Sequence, residues 1–433
     1  MKTKKTAVIC AAAAVSLALC GCNANVNDIT EDEKNAVRSG INSFSAELFK
    51  EEYSKNNTKN NLFLSPISVY TGLSLSVNGA NGDTENQLTK ALSGGFFSAE
   101  TNDTAETSLD EDTLNRYFSY YIKSLRSSNS KAVKLGMANS VWTIKRDDIN
   151  MRKDFIDIGK RYYGAEIFNI PFENSSVERI NKWVLKKTDN MINADIGDNL
   201  TEDSMAVLIN AMAFDSKWQV QYSSGNMNPL DFNNYDGSVS KVEFMSSTEN
   251  RYIDDDHSLA IIKDYHSDAN NEKRYAFVAI LPNKDVGIDE YIEKYFTADT
   301  FKDGVNNSYE SEVHAKIPKF EFECTYNLGD DLKALGIKSA FDEKEADFSG
   351  MADIVGNNSE EKNIYLNDVV HKTYISVDEE GTKAKTYTGF DFSMDLGAMA
   401  VEEIHITLDR PFIFAIYDYK EQVPVFIGTV NDL

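Results

Sequence analysis

The sequence is poor in cysteine and histidine and short of positive charge. Of 433 residues only four are cysteines, and Cys10, Cys20 and Cys22 fall in the first 22. Cys324 stands alone in the body of the chain, so it has no intrachain disulfide partner there and cannot supply the thiolate set of a structural zinc site. Its neighbours Phe320, Phe322 and Tyr326 read as a strand, which favours packing over a nucleophilic role. The five histidines, His257, His266, His314, His371 and His405, are widely spaced, and none stands at metal-ligand spacing from another. Lysine and arginine number 44 against 69 acids, a net charge of −25. That charge repels phosphate backbones, so no nucleic-acid partner is expected. Hydrophobic residues at 42% are ample for a large core. Length suggests about three domains, but residues 34–433 contain no repeat and no Pro/Gly linker, so one domain is expected.

Catalytic motifs are missing too. There is no Gly-x-Ser-x-Gly elbow, phosphate-binding loop or dinucleotide fingerprint. Gly79-Ala80-Asn81-Gly82 follows a helix and lacks the spacing and lysine of a phosphate loop, so it reads as a turn. Asp254-Asp255-Asp256-His257 reads as a solvated turn rather than a metal cluster. No catalytic residue, metal or cofactor is therefore expected, and the chain is not expected to be an enzyme. A dispersed triad of a surface hydrolase is the alternative.

What is present begins with an export signal. Lys2, Lys4 and Lys5 precede an apolar segment, Ala7 to Leu19, that is too short for a stable membrane span. Leu19-Cys20-Gly21-Cys22 resembles a bacterial lipobox, and small Gly21 points to Cys22 as the lipid-bearing residue. The alternative is an ordinary cleaved secretory signal. Residues 1–21 then form the signal peptide and 22–34 a polar tether. Membrane contact is expected only through this lipid, at the cell surface, or not at all if the chain is secreted.

Thr30 with Glu33 forms a capping-box pattern, and Val37, Ile41, Phe44 and Leu48 follow at helical spacing, predicting a first helix that ends near Tyr53. Asn61 to Leu64 is a short strand, and Pro66 opens a second helix. Residues 93–113 read as a surface excursion. Ile180, Trp183, Val184 and Met191 mark a later helix. Strands are expected at Val207 to Phe214, Tyr275 to Leu281, Val313 to Phe322, Val369 to Val377, Phe412 to Tyr417 and Val423 to Ile427. Helices early and strands late, without alternation, predict an α+β fold.

Residues 382–395 alternate in a way a surface loop does not require. One parity holds Thr382, Ala384, Thr386, Thr388, Phe390, Phe392 and Met394, all small or apolar. The other holds Lys383, Lys385, Tyr387, Gly389, Asp391, Ser393 and Asp395, mostly polar. Period two predicts one buried and one wet face. The segment nevertheless lies between Glu379-Glu380-Gly381 and Gly397-Ala398, so a loop that can become a strand accounts for it.

From about residue 35 to the C-terminus the chain resembles a serpin. The resemblance rests on blocks in register: Asn61-Leu62-Phe63-Leu64-Ser65-Pro66-Ile67-Ser68, Val207-Leu208-Ile209-Asn210-Ala211 with Lys217-Trp218, and Ile317-Pro318-Lys319-Phe320. Asp347-Phe348-Ser349-Gly350, His371-Lys372, Glu379-Glu380-Gly381-Thr382 and Asp409-Arg410-Pro411-Phe412 follow in order. The resemblance implies a large central, mostly antiparallel sheet with helices and an exposed reactive-centre loop at about 379–408. It further implies a monomer that inhibits serine proteases as a suicide substrate, with papain-like cysteine proteases as a second target class. A non-inhibitory serpin serving as a binding module is the alternative.

Carried over residue by residue, Glu379, Glu380, Gly381, Thr382 and Ala384 form the hinge. Ser65, Ser68, Asn210 and His371 form the polar shutter under the sheet. Trp218 and Lys319 lie at the breach where the loop enters, with Lys319 able to pair with Glu379. Family spacing counted from Gly381 puts the scissile bond at Asp395-Leu396, with Met394 and Met399 as alternatives. Counting back from Pro411 lands near Ala400. Asp395 suits an aspartate-specific protease, whereas Met394, Leu396 and Met399 suit elastase-, chymotrypsin- or subtilisin-like enzymes. No arginine or lysine lies between Thr386 and Asp409, which argues against trypsin-like targets. The hinge departs from the family's run of alanines at Lys385, Thr386 and Tyr387.

Overall fold

The computed structural model describes residues 29–56, 59–96, 109–144, 149–171, 174–188, 190, 206–354, 364–382 and 403–433. Helix α1 (Glu31–Lys55) starts from the expected capping box: the Glu33 amide donates to Thr30 Oγ1 at 3.3 Å, and the Thr30 amide donates to Glu33 Oε2 at 2.8 Å. It takes Glu31 to Lys34 out of the expected tether, and its apolar stripe of Val37, Ile41, Phe44 and Leu48 is buried.

Strand β1 (Leu62–Leu64) leads into α2 (Pro66–Val77), with Pro66 at the first helical turn. Every residue of α2 is buried. Three of its hydroxyls bond back inside the helix: Thr71 donates to the Ile67 carbonyl, Ser74 to Tyr70 and Ser76 to Gly72, at 2.6–3.0 Å. Helices α3 (Gly82–Leu92), α4 (Glu111–Ser128) and α5 (Lys153–Tyr163) follow, interleaved with β2 (Val133–Ile144), β3 (Ile149–Met151) and β4 (Glu166–Ile170). The α2–α3 junction is the turn expected at Gly79 to Gly82. Helix α6 (Asn174–Lys187) ends before Met191, which lies outside the described residues.

The rest of the chain is mostly strand: β5 (Ala206–Lys217), β6 (Met227–Asn233), β7 (Val239–Asp254), β8 (Ser258–Asp264) and β9 (Tyr275–Pro282). Short helices α7 (Gly287–Glu290) and α8 (Thr300–Asn306) precede β10 (Tyr309–Pro318) and β11 (Phe320–Asn327). Then come α9 (Gly329–Ala334), β12 (Ala352–Ile354), β13 (Leu366–Val377), β14 (Gly381–Thr382), β15 (Glu403–Thr407), β16 (Phe412–Asp418) and β17 (Val423–Val430).

Two sheets dominate. One runs β1-β17-β16-β9-β8-β7-β10-β15 with β6 beside β7, and the other runs β11-β13-β14-β5-β2-β4. The six-stranded sheet is antiparallel except where β5 meets β13 and β2 meets β4. Residues 313–322, expected as one strand, are divided at Lys319: β10 belongs to the first sheet and β11 to the second. β-Propensity runs straight through this segment, and nothing local says that the chain changes sheets.

Helix α6 covers one face of the second sheet through Ile180, Trp183 and Val184, packed with Trp142, Ile170, Ile209 and Val370. Trp142 stacks on Phe168 at 4.0 Å and meets Trp183 edge-on. The opposite side rests on α2 and the main core. No helix among the described residues is long and apolar enough to cross a membrane.

Candidate functional site: the hinge and the seam between β5 and β13

Strands β5 and β13 pair directly, in parallel, only from Leu366↔Ala206 to Lys372↔Ala211. Beyond that the two strands admit the two residues of β14. Thr382 sits opposite Val377 on one side and Ser216 on the other, antiparallel to both. The start of the alternating segment thus already occupies a strand position inside the sheet.

A tight turn delivers it there. Asp378 Oδ1 accepts from the Glu380 amide at 2.8 Å and the Gly381 amide at 3.1 Å, while the Asp378 amide donates to the Gly381 carbonyl at 3.0 Å. Burial pushes the Asp378 carboxyl above its usual range, and those two amides oppose the shift. Gly381 is needed for close approach: a Cβ there would lie 2.1 Å from the Ser216 carbonyl oxygen and 2.6 Å from Lys217 Cα.

The end of β5 clamps this turn. Trp218 Nε1 donates to the Asp378 carbonyl at 2.8 Å, and the Trp218 amide donates to the Glu380 carbonyl at 3.0 Å. The Tyr222 amide reaches the Glu379 carbonyl at 3.0 Å, and Gln221 Nε2 reaches that of Glu380 at 3.0 Å. The Trp218 indole stacks on Tyr265 at 4.6 Å, and the Tyr265 hydroxyl lies 2.6 Å from Thr382 Oγ1. Buried Lys263 stands 5.5 Å from the Trp218 ring and 2.7 Å from Glu249. Lys319 Nζ lies 2.7 Å from both Glu379 and Glu243, and its hydrogen bond holds the Glu379 carboxyl below its usual range.

Lower in the seam, buried His371 accepts the Ser65 amide proton on Nε2 at 2.9 Å. Its proton therefore resides on Nδ1, which has no partner among the described residues. Burial pushes the imidazole down to about 4. Ser65 Oγ is 3.0 Å from the Val425 carbonyl and from Met212 Sδ. The Thr373 hydroxyl donates to the Phe63 carbonyl, and the Tyr326 hydroxyl accepts from the Phe63 amide at 3.1 Å. Asn210 pairs through its main chain with His371 and with Asn139. Ser68 Oγ is buried without a hydrogen-bond partner among the described residues.

Residues 383–402 lie outside the described set, and with them Ala384, Met394, Asp395, Leu396 and Met399; so does Cys22. Sequence reasoning missed Asp378, Tyr265, Tyr222 and Gln221. Only Asp378 carried a local signal, as an Asp opening a turn. It also found no histidine pair. The parallel pairing of β10 with β15 sets His314 beside His405, a contact that linear spacing cannot reveal.

Asp255 accepts from the amides of His257 and Ser258 in the β7–β8 turn, where Asp256 has φ 68°. Cys324 lies on β11, partly buried, with its thiol pushed up by burial.

Comparison with known proteins agrees with this architecture. The family model for "Serpin (serine protease inhibitor)" matches residues 39–433. A serpin-like protein of Thermococcus kodakarensis is 29% identical over 92% of this chain and 86% of its own length. Mouse Serpin B11 is 30% identical over 89% of this chain and 96% of its own. The crystal structure of the thermophilic serpin tengpin in its native state is 37% identical, with a TM-score of 0.79 over 93% of this chain and 95% of tengpin. The chain belongs to the serpin family, and its fold is the α+β serpin fold.

Proposed function

We propose that this serpin inhibits proteases as a suicide substrate at the cell surface. The observation that carries the reading is the seat of Gly381 and Thr382 between β13 and β5, with Thr382 already paired on both sides. The residues that follow continue Thr382's small-or-apolar alternation, the pattern a strand needs to add itself to a sheet.

The attacking protease serine bonds to the carbonyl carbon of the scissile residue. The peptide C–N bond breaks, and the new amine leaves with the proton carried by the protease's own base. The acyl-enzyme ester then travels with the cut loop. Inserting Thr382 to Ser393 carries it about 40 Å at roughly 3.3 Å per residue. Phe390 and Phe392 gain burial late in that movement, each worth roughly 1.5–3 kcal/mol if fully covered. The uncut protein persists because a barrier, not an equilibrium, keeps the sheet closed.

The targets are extracellular serine proteases of elastase, chymotrypsin or subtilisin type, with cleavage at Asp395-Leu396 or next to Met394 or Met399. Cys22 carries a lipid that tethers the monomer to a bacterial membrane. The test is a denaturing gel after incubation with elastase-like and chymotrypsin-like proteases, with the mass of the released C-terminal peptide read alongside. A boiling-stable band at the summed mass is expected. Cleavage with neither that band nor a rise in thermal stability would mark a non-inhibitory serpin. Lipidation is read separately from the intact mass of membrane-extracted protein.

A further inference from the structure

The far end of the loop enters β15, at the end of the first sheet, whose only strand partner among the described residues is β10. The two run parallel in the register Glu312↔Glu403, Val313↔Ile404, His314↔His405. Each strand therefore contributes a Glu-x-His pair, and period two places all four side chains on one face of the sheet. His314 Nε2 lies 3.6 Å from Glu312 Oε1 and 3.6 Å from Glu403 Oε2, and His405 Nε2 lies 3.8 Å from Glu403 Oε2. The two imidazoles stand 4.8 Å apart, nearly parallel at 18°. The ligand atoms of His314, Glu403 and His405 all fall within 4.8 Å of one another.

These distances suit one small cation. Tetrahedral zinc with ligands at about 2.1 Å places them roughly 3.4 Å apart. The closest donor pairs are already within a few tenths of an ångström of that, and the side chains are exposed enough to close the rest, from 34% at His314 to 69% at His405. Two imidazoles with one or two carboxylates favour zinc, nickel or copper over calcium or magnesium, which prefer all-oxygen sets. Lys316 shares the face two residues on, opposite Thr407.

We propose that His314, His405 and Glu403, completed by Glu312 or water, form a binding site for a divalent transition-metal ion that bridges β10 and β15. A bound ion adds metal–ligand bonds to an edge pairing made of main-chain hydrogen bonds and of the His314–Glu403 and His314–His405 side-chain contacts. It staples the C-terminal anchor of the loop to the body of the sheet and stabilises the folded chain by mass action. The hinge at the other end is untouched, so the site governs how firmly the loop is held and does not depend on whether the protein inhibits a protease.

The experiment is a calorimetric titration of the full chain with zinc chloride, repeated with nickel chloride, on wild type, His314→Gln, His405→Gln and Glu403→Gln. Wild type is expected to bind one zinc that each histidine variant weakens at least ten-fold. Zinc is expected to raise the melting temperature and slow hydrogen exchange in residues 403–407 of wild type only. His266→Gln is the control and retains the binding. Zinc binding in His314→Gln and His405→Gln as tight as in wild type, or none in wild type, would overturn the proposal. Glu403→Gln retains the histidines, so a variant that loses affinity but keeps its metal-free melting temperature separates a lost ligand from a damaged fold.

Discussion

The two sheets of this serpin are held together by different means. Strands β9, β16 and β17 bury every residue, pair antiparallel without a break in sheet order, and meet through Phe277, Phe414, Phe426 and Phe63. Strands β5 and β13 meet in a short parallel pairing with a register shift, above a cluster of histidine, serine and threonine. An apolar interior is stable because no rearrangement improves it. A polar seam can exchange one hydrogen-bond partner for another and so be parted at lower cost. On the proposed mechanism the sheet parts along the seam that already holds Thr382, and not through the aromatic layer behind it.

The sharpest break of the comparison is Phe414→Ala. Its ring is fully buried against Phe63, Phe277, Phe320 and Phe412. Denaturant unfolding should show a loss of about 3–5 kcal/mol, and a loss under 1 kcal/mol would mean the layer is not the rigid half.

Next is acid acting on the seam. His371 titrates at about 4 when folded against 6.5 when free, so the folded state binds its proton less readily. Its contribution is complete above pH 6.5 and is lost as pH falls through 4, roughly 3 kcal/mol in all. Protonation also sets an N–H against the Ser65 amide. Stability measured against pH should fall more steeply over that window in wild type than in His371→Gln, and identical slopes would rule the histidine out.

Gly381→Val comes third. Its side chain has no room against Ser216 and Lys217, so the turn must leave the sheet. On the proposed mechanism the ratio of protease complex to cleaved product should drop at least about ten-fold, roughly 1.4 kcal/mol of partitioning. An unchanged ratio on a denaturing gel would show that the seat of β14 is incidental.

The smallest effect separates two serines. Ser65→Ala removes a hydroxyl bonded to the Val425 carbonyl and should cost about 1 kcal/mol, whereas Ser68→Ala removes one without a partner among the described residues and should be neutral or slightly stabilising. Equal costs in thermal melts would place Ser68 in the polar cluster.

Much of the architecture was legible in local patterns. The Thr30–Glu33 cap, the Pro66 helix start and the apolar runs of β9, β16 and β17 appear where periodicity and turn chemistry put them. The site was legible in part, through family motifs at Trp218, Lys319, His371 and Gly381. The clamp of Tyr265, Tyr222 and Gln221 on the hinge was not, because the Tyr265 hydroxyl, the Tyr222 amide and the Gln221 side chain all find their partners in a segment distant along the chain.

By itself the sequence located helices α1, α2 and α6 and strands β1, β5, β9, β13, β16 and β17, and determined which parity of 382–395 is apolar and that the chain carries the serpin motifs. Tertiary structure decided that β10 and β11 part company at Lys319, that Thr382 takes a place between β5 and β13, and that His314 stands beside His405. The physical reason is range. Caps, turns and periodicity act within a few residues, whereas strand partners and register are chosen by surfaces distant in sequence that exist only once the rest of the core has packed.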